Sequence, residues 1–449
     1  MTEQNPEHTT DIVSANLLVL IDELSTELHP DKSLTQSTTL DSSLDSDLGL
    51  DSLARLELLA RVERSFGVTV PERAFADADT PRDLLRAIQS AQKTRKHLRV
   101  PKAKPVKLED AVEAPHTAQT LVDVLRWHAH NHPERPHVQF YNDEGRRDVL
   151  TYKDLHDNAK LTAAGLQNRD LRPGEPVAIM LPPGRDYFFS FMGIMLAGGI
   201  PVPLYPPARP SQIEDHLKRH ISIMENCAAV TLITIQEART FGRLMRSHSK
   251  TLRHVVTIED LTTDGSEFLE PVVGSDDIAF LQYTSGSTGN PKGVILTHAN
   301  LLANIRAAGA WINYDSTDVT VSWLPLYHDM GLIGGWFCSL YYAGLLVIMS
   351  PIDFLARPER WFQAIHRYRG TLSAGPNFSY EICLQRLKDK DLEGLDLSSW
   401  RVACNGAEPV GADTVERFCD RFEKFNFRRA TMMPVYGLAE NSVALTFPP

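Results

Sequence analysis

The densest run of chemistry-bearing residues in this chain is TSGSTGNPKG, residues 284–293. Thr284, Ser285, Ser287 and Thr288 supply hydroxyls, while Gly286, Gly289 and Gly293 let backbone N–H groups come close to an oxyanion. Lys292 adds a compact positive charge, and the whole reads as a phosphate cradle. It is not a Walker A loop, because Lys292 is preceded by Pro291 and followed by Gly293 rather than Ser or Thr. A different kind of serine stands in LGLDSLARLELL, residues 48–59, with neither a base nor a metal ligand nearby in sequence. Asp51 and Ser52 are good N-caps for the helix that starts there.

These groups need elements to hold them. Residues 11–28 place Ile12, Val13, Leu17, Leu20, Ile21, Leu24 and Leu28 on one helical face. The helix opened by Asp51 or Ser52 turns Leu53, Leu56, Leu59, Val62 and Phe66 inward, and a last helix from about Pro81 carries Leu84, Leu85 and Ile88. That is a small helical bundle. Residues 93–117 have no apolar periodicity, carry Pro101, Pro105 and Pro115, and read as a semi-extended linker. Beyond them, strand-like runs at 176–181, 228–234, 253–258 and 278–286 alternate with helical ones, which predicts α/β layers with mainly parallel strands.

Composition narrows the function classes. A length of 449 residues implies more than one folding unit, and a net charge of -11 argues against generic nucleic-acid binding. The charge is uneven: residues 1–91 hold 17 acidic against 7 basic residues, and residues 93–107 hold seven basic and no acidic ones. The five cysteines, Cys227, Cys338, Cys383, Cys404 and Cys419, form no C-x-x-C pair, so neither a disulfide framework nor a zinc site is indicated and a reducing cytoplasm is the expected setting. No secretory signal is visible at the start. Residues 330–351, MGLIGGWFCSLYYAGLLVIMSP, carry no charge and approach the ~20 residues of a membrane span. Four internal glycines and the absence of a positive flank favour a buried helix running into a buried strand, with no membrane span.

About residues 10–92 the sequence resembles acyl or peptidyl carrier proteins, whose second helix begins at a D-S-L serine bearing 4'-phosphopantetheine. The resemblance implies that a phosphopantetheinyl transferase attaches the arm to Ser52. From about residue 117 to the end, the 284–293 run resembles the phosphate signature of the adenylate-forming superfamily. Matches follow in order: SWLPLYHDMGLIGG (322–335), GPNFSYEIC (375–383), NGAEPV (405–410) and MPVYGLAENS (433–442). Their wording is most similar to fatty acyl-AMP ligases. The expected organisation is a small all-α four-helix carrier bundle at 10–92, a basic linker at 93–116, and a large α/β adenylate-forming domain with mainly parallel layered sheets at 117–449.

The resemblance implies roles. Residues 284–293 would hold the ATP phosphates, Gly406, Ala407 and Glu408 would line the adenine, and Tyr436 and Gly437 would bear on its face. Glu440, with Thr284, would hold Mg²⁺. Lys292, Glu440 and His328 would be the catalytic groups. His328, Gly331, Gly334 and Asn377 would bind the acid, with Gly331, Gly334 and Gly335 leaving room for its chain and Asp329 a weaker candidate for a direct role. A purine wants a flat ring, and a carboxylate is a ligand that Mg²⁺ accepts.

The implied reaction is activation of a fatty acid by ATP to an acyl adenylate. The acyl group then passes to a phosphopantetheine thiol, on this chain's own carrier in cis or ahead of a downstream synthase or acyltransferase. Competing readings are an acyl-CoA ligase, an amino-acid adenylation domain and a non-catalytic nucleotide- or acyl-binding fragment. YGLAE departs from the superfamily's usual threonine before the glutamate, having Ala439 there. The sequence stops at TFPP with no match to the family's C-terminal lid, so a fragment with little pyrophosphate exchange of its own is expected.

Overall fold

The computed structural model describes the chain except residues 1–5, 29–37, 45, 46, 49, 51–57, 59, 60, 63, 64, 67, 71–77, 91, 94–105, 107, 109, 110, 144, 206–212, 264, 266, 285–291 and 449. The chain divides into two compact units, one made chiefly of residues 1–99 and the other chiefly of residues 100–449.

In the first unit, helices Pro6–Leu28 and Pro81–Ser90 pack through the residues that the periodicity singles out: Leu17, Ile21 and Leu24 are buried, as are Leu84, Leu85 and Ile88. Leu44, Leu48 and Leu50 join them from the intervening segment. Of the second helix, Leu58 is fully buried together with Val62, four residues on; Leu53, Leu56 and Leu59, which the periodicity turns inward, lie outside the described residues. A further departure is a short antiparallel pair, β1 (Val68–Thr69) with β2 (Gln92–Lys93), so pairing continues to the first residue of the expected linker.

The second unit begins with β3 (Pro136–Phe140) and β4 (Val149–Thr151), followed by β5 (Pro176–Met180), β6 (Ile200–Pro203), β7 (Thr231–Thr234) and β8 (His254–Val256). Strands β5 to β8 form a wholly parallel sheet in the order β6-β5-β7-β8. Parallel neighbours require long crossovers, and helices Arg185–Leu196, Ile213–Cys227 and Arg239–His248 supply them. Next come the antiparallel partners β9 (Ile278–Thr284) and β10 (Lys292–Thr297), then β11 (Val319–Ser322), β12 (Leu345–Ile348), β13 (Leu372–Gly375), β14 (Val402–Asn405) and β15 (Met432–Pro434). The larger sheet runs β15-β14-β13-β11-β12-β3-β4 and is parallel except for β3 with β4. A small antiparallel hairpin, β16 (Tyr436–Leu438) with β17 (Val443–Thr446), closes the chain.

The uncharged stretch from residue 330 resolves into a π-helix, Met330–Phe337, a short helix, Cys338–Tyr342, and β12, every residue of which is buried. Trp336 and Phe337 sink into an aromatic cluster with Phe188, Phe191 and Phe280, meeting mostly edge to face. Burial in a protein core therefore accounts for its composition, and among the described residues no helix is long and apolar enough to cross a membrane. Threonine capping boxes start the helices at Leu121, Tyr152, Ile258 and His298, each with Asp or Asn three residues into the helix reaching back to the cap. Each is worth about 1 kcal/mol and fixes where its helix begins.

Candidate functional site

The phosphate-cradle run sits on a hairpin. Thr284, at the end of β9, pairs directly with Lys292, at the start of β10, so the two ends of the run face each other. Residues 285–291, and with them Ser285, Gly286, Ser287, Thr288 and Gly289, lie outside the described residues, as does Ser52. Lys292 is exposed. Strand β10 packs against the turn Ala439–Asn441, which carries the exposed Glu440. One lysine and one carboxylate, distant in sequence, thus belong to adjoining elements at the rim of the sheet.

Beside them lies a cavity of about 270 Å³. One wall is the face of the large sheet, and the opposite walls are the His298–Trp311 helix and the π-helix. From the helix, Asn304, Ala308 and Ile312 reach it at i, i+4 and i+8; from the π-helix and just beyond come Met330, Gly334, Gly335 and Cys338. Ala407, Tyr436 and Gly437 line the same cavity, with Tyr436 at 62% exposure presenting its ring at the opening. Gly437 has a steric reason to be glycine: a Cβ there would stand 1.8 Å from the Val443 carbonyl across the hairpin. Ser442 and Val443 turn that hairpin at positive φ (55° and 84°), an unusual conformation for a β-branched residue. Asn304 holds it in place, donating to the carbonyls of Asn441 and Ala444 and accepting from the Ala444 N–H.

His328 follows a segment fixed by two buried donors. Tyr187 Oη donates to the Leu326 carbonyl at 2.6 Å, and Gln282 Nε2 to that of Tyr327 at 2.8 Å. The half-exposed imidazole pairs through Nδ1 with Asp329 Oδ1 at 2.8 Å, and this carboxylate raises the His328 pKa above its ordinary value. Asp329 Oδ1 also accepts the Met330 N–H at 2.7 Å, so the carboxylate is held by the backbone it caps. His328 and Asp329 border the 270 Å³ cavity and also a more polar recess of about 290 Å³ that includes Arg219, Gln282 and Thr284. The histidine therefore stands between an acyl-sized space and the Thr284 end of the hairpin.

Not every expected site residue lines the cavity. Gly331 does not line the cavity; a Cβ there would meet the Pro325 carbonyl at 2.4 Å, so it is glycine for close packing. Gly334, by contrast, has nothing within 4 Å of its Cβ position and opens onto the cavity. Asn377 also stays outside: its Oδ1 accepts from Asn405 Nδ2 and from the Gly411 N–H, and it ties β14 to the start of the Ala412–Phe422 helix. Gly406 packs against the Val435 carbonyl, and Glu408 accepts the Phe378 N–H at 2.6 Å, which caps the Asn377–Arg386 helix. Ala407 takes a positive φ of 68°. Among the described residues no group of three His, Cys, Asp or Glu side chains could hold a metal ion. A divalent cation that Glu440 held would take its other ligands from substrate phosphates and water, as Mg²⁺ commonly does. Asn304, Tyr314 and Thr320 escaped the sequence reading; the i, i+4, i+8 spacing of Asn304, Ala308 and Ile312 was the available signal.

Residues 125–449 match the family model described as AMP-binding enzyme, and residues 19–88 match the one described as phosphopantetheine attachment site. The chain belongs to the AMP-binding enzyme family. It also carries a carrier-type domain ahead of the AMP-binding one. It is 38% identical over 334 residues to the medium-chain-fatty-acid–[acyl-carrier-protein] ligase JamA of Moorena producens, covering 73% of this chain and 56% of that protein. It is 34% identical over 337 residues to a 4-hydroxyphenylalkanoate adenylyltransferase of Mycobacterium marinum, covering 72% of this chain and 53% of that one. The fatty acyl-adenylate ligase of Legionella pneumophila, solved in complex with acyl adenylate and pyrophosphate, superposes with a TM-score of 0.68 at 37% identity, covering 74% of this chain and 57% of that one. This AMP-binding enzyme chain thus spans a little over half the length of the relatives it matches.

Proposed function

We propose that this chain serves the ATP-dependent activation of a fatty acid as its acyl adenylate, followed by transfer of the acyl group to the phosphopantetheine thiol of a carrier, its own or another. The observation that carries the reading is the placement of His328 between the 270 Å³ cavity, whose opening is lined by Ala407, Tyr436 and Gly437, and the recess that ends at Thr284. A carboxylate entering the cavity tail first would bring its head group to His328. The raised pKa of that imidazole favours a cationic partner for the carboxylate.

In the first step a carboxylate oxygen bonds to the α-phosphorus of ATP while the bond to the β-phosphate oxygen breaks and pyrophosphate leaves. Lys292 and the backbone N–H groups of 285–290 would spread the charge of the transferring phosphoryl group. The exposed ring of Tyr436 and the backbone at Gly406, Ala407 and Glu408 would hold the adenine. Glu440 would bind Mg²⁺, which, when present, neutralises phosphate charge.

Calorimetric titration with an acyl-sulfamoyl adenosine, a stable mimic of the acyl adenylate, tests the reading. One saturable site is expected, weakened about tenfold or more in Tyr436→Ala, since stacking on an aromatic ring is worth roughly 1 to 3 kcal/mol. Absence of binding would exclude adenylate formation at this site. For the carrier, co-expression with a phosphopantetheinyl transferase should add the mass of one arm, lost in Ser52→Ala. An unchanged mass rules out loading in cis.

A further inference from the structure

The sheet wall of the cavity carries polar groups that a plain alkyl tail does not need. Side chains two apart share a strand face, and the register sets Thr320 beside Leu372 and Leu372 beside Val402. Ser322 and Cys404 lie two residues further along the same strands, toward the ends that His328 and Ala407 follow. All of these line the cavity. The Thr320 row is thus deeper than the Ser322 row by about 7 Å, two strand residues. An acid with its head group at His328 would extend its tail toward that row.

At that depth Thr320 Oγ1 lies 2.8 Å from Tyr314 Oη, and Tyr314 Oη lies 3.0 Å from Ser339 Oγ. Ser339 Oγ donates to the Gly335 carbonyl at 2.8 Å, which uses its one proton. Ser339 must therefore accept from Tyr314, and Tyr314 must accept from Thr320. Every hydroxyl proton in the row points along the chain toward Gly335. Thr320 and Tyr314, the two members that line the cavity, are left with lone pairs. The phenol fits there because residue 344 is glycine, whose Cβ position is 2.5 Å from Tyr314 Oη.

We propose that this row of acceptors determines specificity and selects an acid whose tail ends in a hydroxyl, over a plain alkanoic acid of the same length. The inference rests on the adenylation reading above. A methyl end would leave the lone pairs buried and unmet, whereas a hydroxyl satisfies them by donating; a site built to bond a hydroxyl rejects the analogue that lacks it.

The test is binding of paired acyl-sulfamoyl adenosines, each acid offered with a methyl, an ω-hydroxyl or an ω-methoxy end over a range of lengths, measured by calorimetry. At the best length the hydroxyl end should bind about tenfold tighter than the methyl end, the equivalent of one net hydrogen bond. Removing both acceptors, Thr320→Val with Tyr314→Phe, should bring that ratio near one. Ser339→Ala frees the Tyr314 proton and should raise affinity for the methoxy end, an effect that mere loosening of the fold does not produce. Equal or tighter binding of the methyl end by the wild-type chain overturns the inference, and that ratio needs no variant to fold. So does a hydroxyl preference that survives when both Thr320 and Tyr314 have lost their hydroxyls. If none of the compounds binds, the adenylation reading fails first and takes this one with it.

Discussion

Gly331 and Gly334 stand three residues apart in one π-helix, yet the two have opposite reasons for lacking a side chain. Gly331→Ala forces a methyl against the Pro325 carbonyl and should destabilise the chain by about 1 to 3 kcal/mol, read by urea denaturation, with little change in acyl-length preference. Gly334→Leu meets open space and should leave stability nearly unchanged while shifting binding toward shorter acyl-sulfamoyl adenosines. Equal loss of stability in both variants would contradict the placement of Gly334. His328 makes a second residue-level case. Its carboxylate partner raises its pKa, so the pair's stabilisation is fully present below the ordinary value of 6.5 and is lost as pH rises through the raised one. Asp329→Asn should bring the His328 titration, followed by NMR, back down toward 6.5. An unmoved titration would mean that Asp329 is not its partner.

The elements that bound the cavity are held in register by charge as well as by apolar packing. Arg401, just before β14, forms a two-pronged pair with Asp318, just before β11, at 2.6 and 3.0 Å. The same guanidinium donates to the carbonyls of Ile312 and Asn313, at the end of the His298–Trp311 helix, and Thr371 Oγ1 donates to Asp318. One cluster thus joins two strands and a helix behind the Thr320 row. With the Asp318 side chain only 5% exposed, Arg401→Met leaves a buried carboxylate without its counter-ion and should cost about 3 kcal/mol in urea denaturation. A change below 1 kcal/mol would show that the remaining N–H and hydroxyl donors suffice. At this scale the strands were legible in sequence, because buried parallel strands read as short apolar runs. The π-helix was not: its extra residue per turn depends on what the segment packs against.

On the scale of the whole molecule, the two units have separate cores of very different size, so their stabilities need not coincide. Two transitions are expected in calorimetric melting, and an acyl-sulfamoyl adenosine should raise one of them, by roughly 2.7 kcal/mol at a hundred times its Kd. A shift of both together would show that the units unfold as one. The large unit also holds neutral, buried histidines. Burial lowers the pKa of His128 from 6.5 to about 4 and that of His298 likewise to about 4, while His137 falls to about 3 and accepts the Trp336 indole N–H. A depressed histidine pKa means that the unfolded chain takes up protons first as pH falls. Stability is therefore complete above 6.5 and declines between 6.5 and about 4, on the order of 3 kcal/mol for His128 alone. Denaturation midpoints of the large unit across that range check the sign.

What the sequence determined by itself was whatever short-range pattern encodes. The hydroxyl and glycine run ending at Lys292, the ordered motifs around His328, Tyr436 and Glu440, the helical faces of the first unit and the α/β alternation all depend on residues near one another in the chain. Tertiary structure alone decided which of those residues share a space. Leu58 is buried though the periodicity did not single it out, and Asn377 ties two elements together instead of facing the cavity because Asn405 and Gly411 arrive beside it. Thr320, Tyr314 and Ser339 carry no motif; strand register and a glycine at 344 bring their hydroxyls into one line, and the direction of that line is set by a carbonyl of the π-helix.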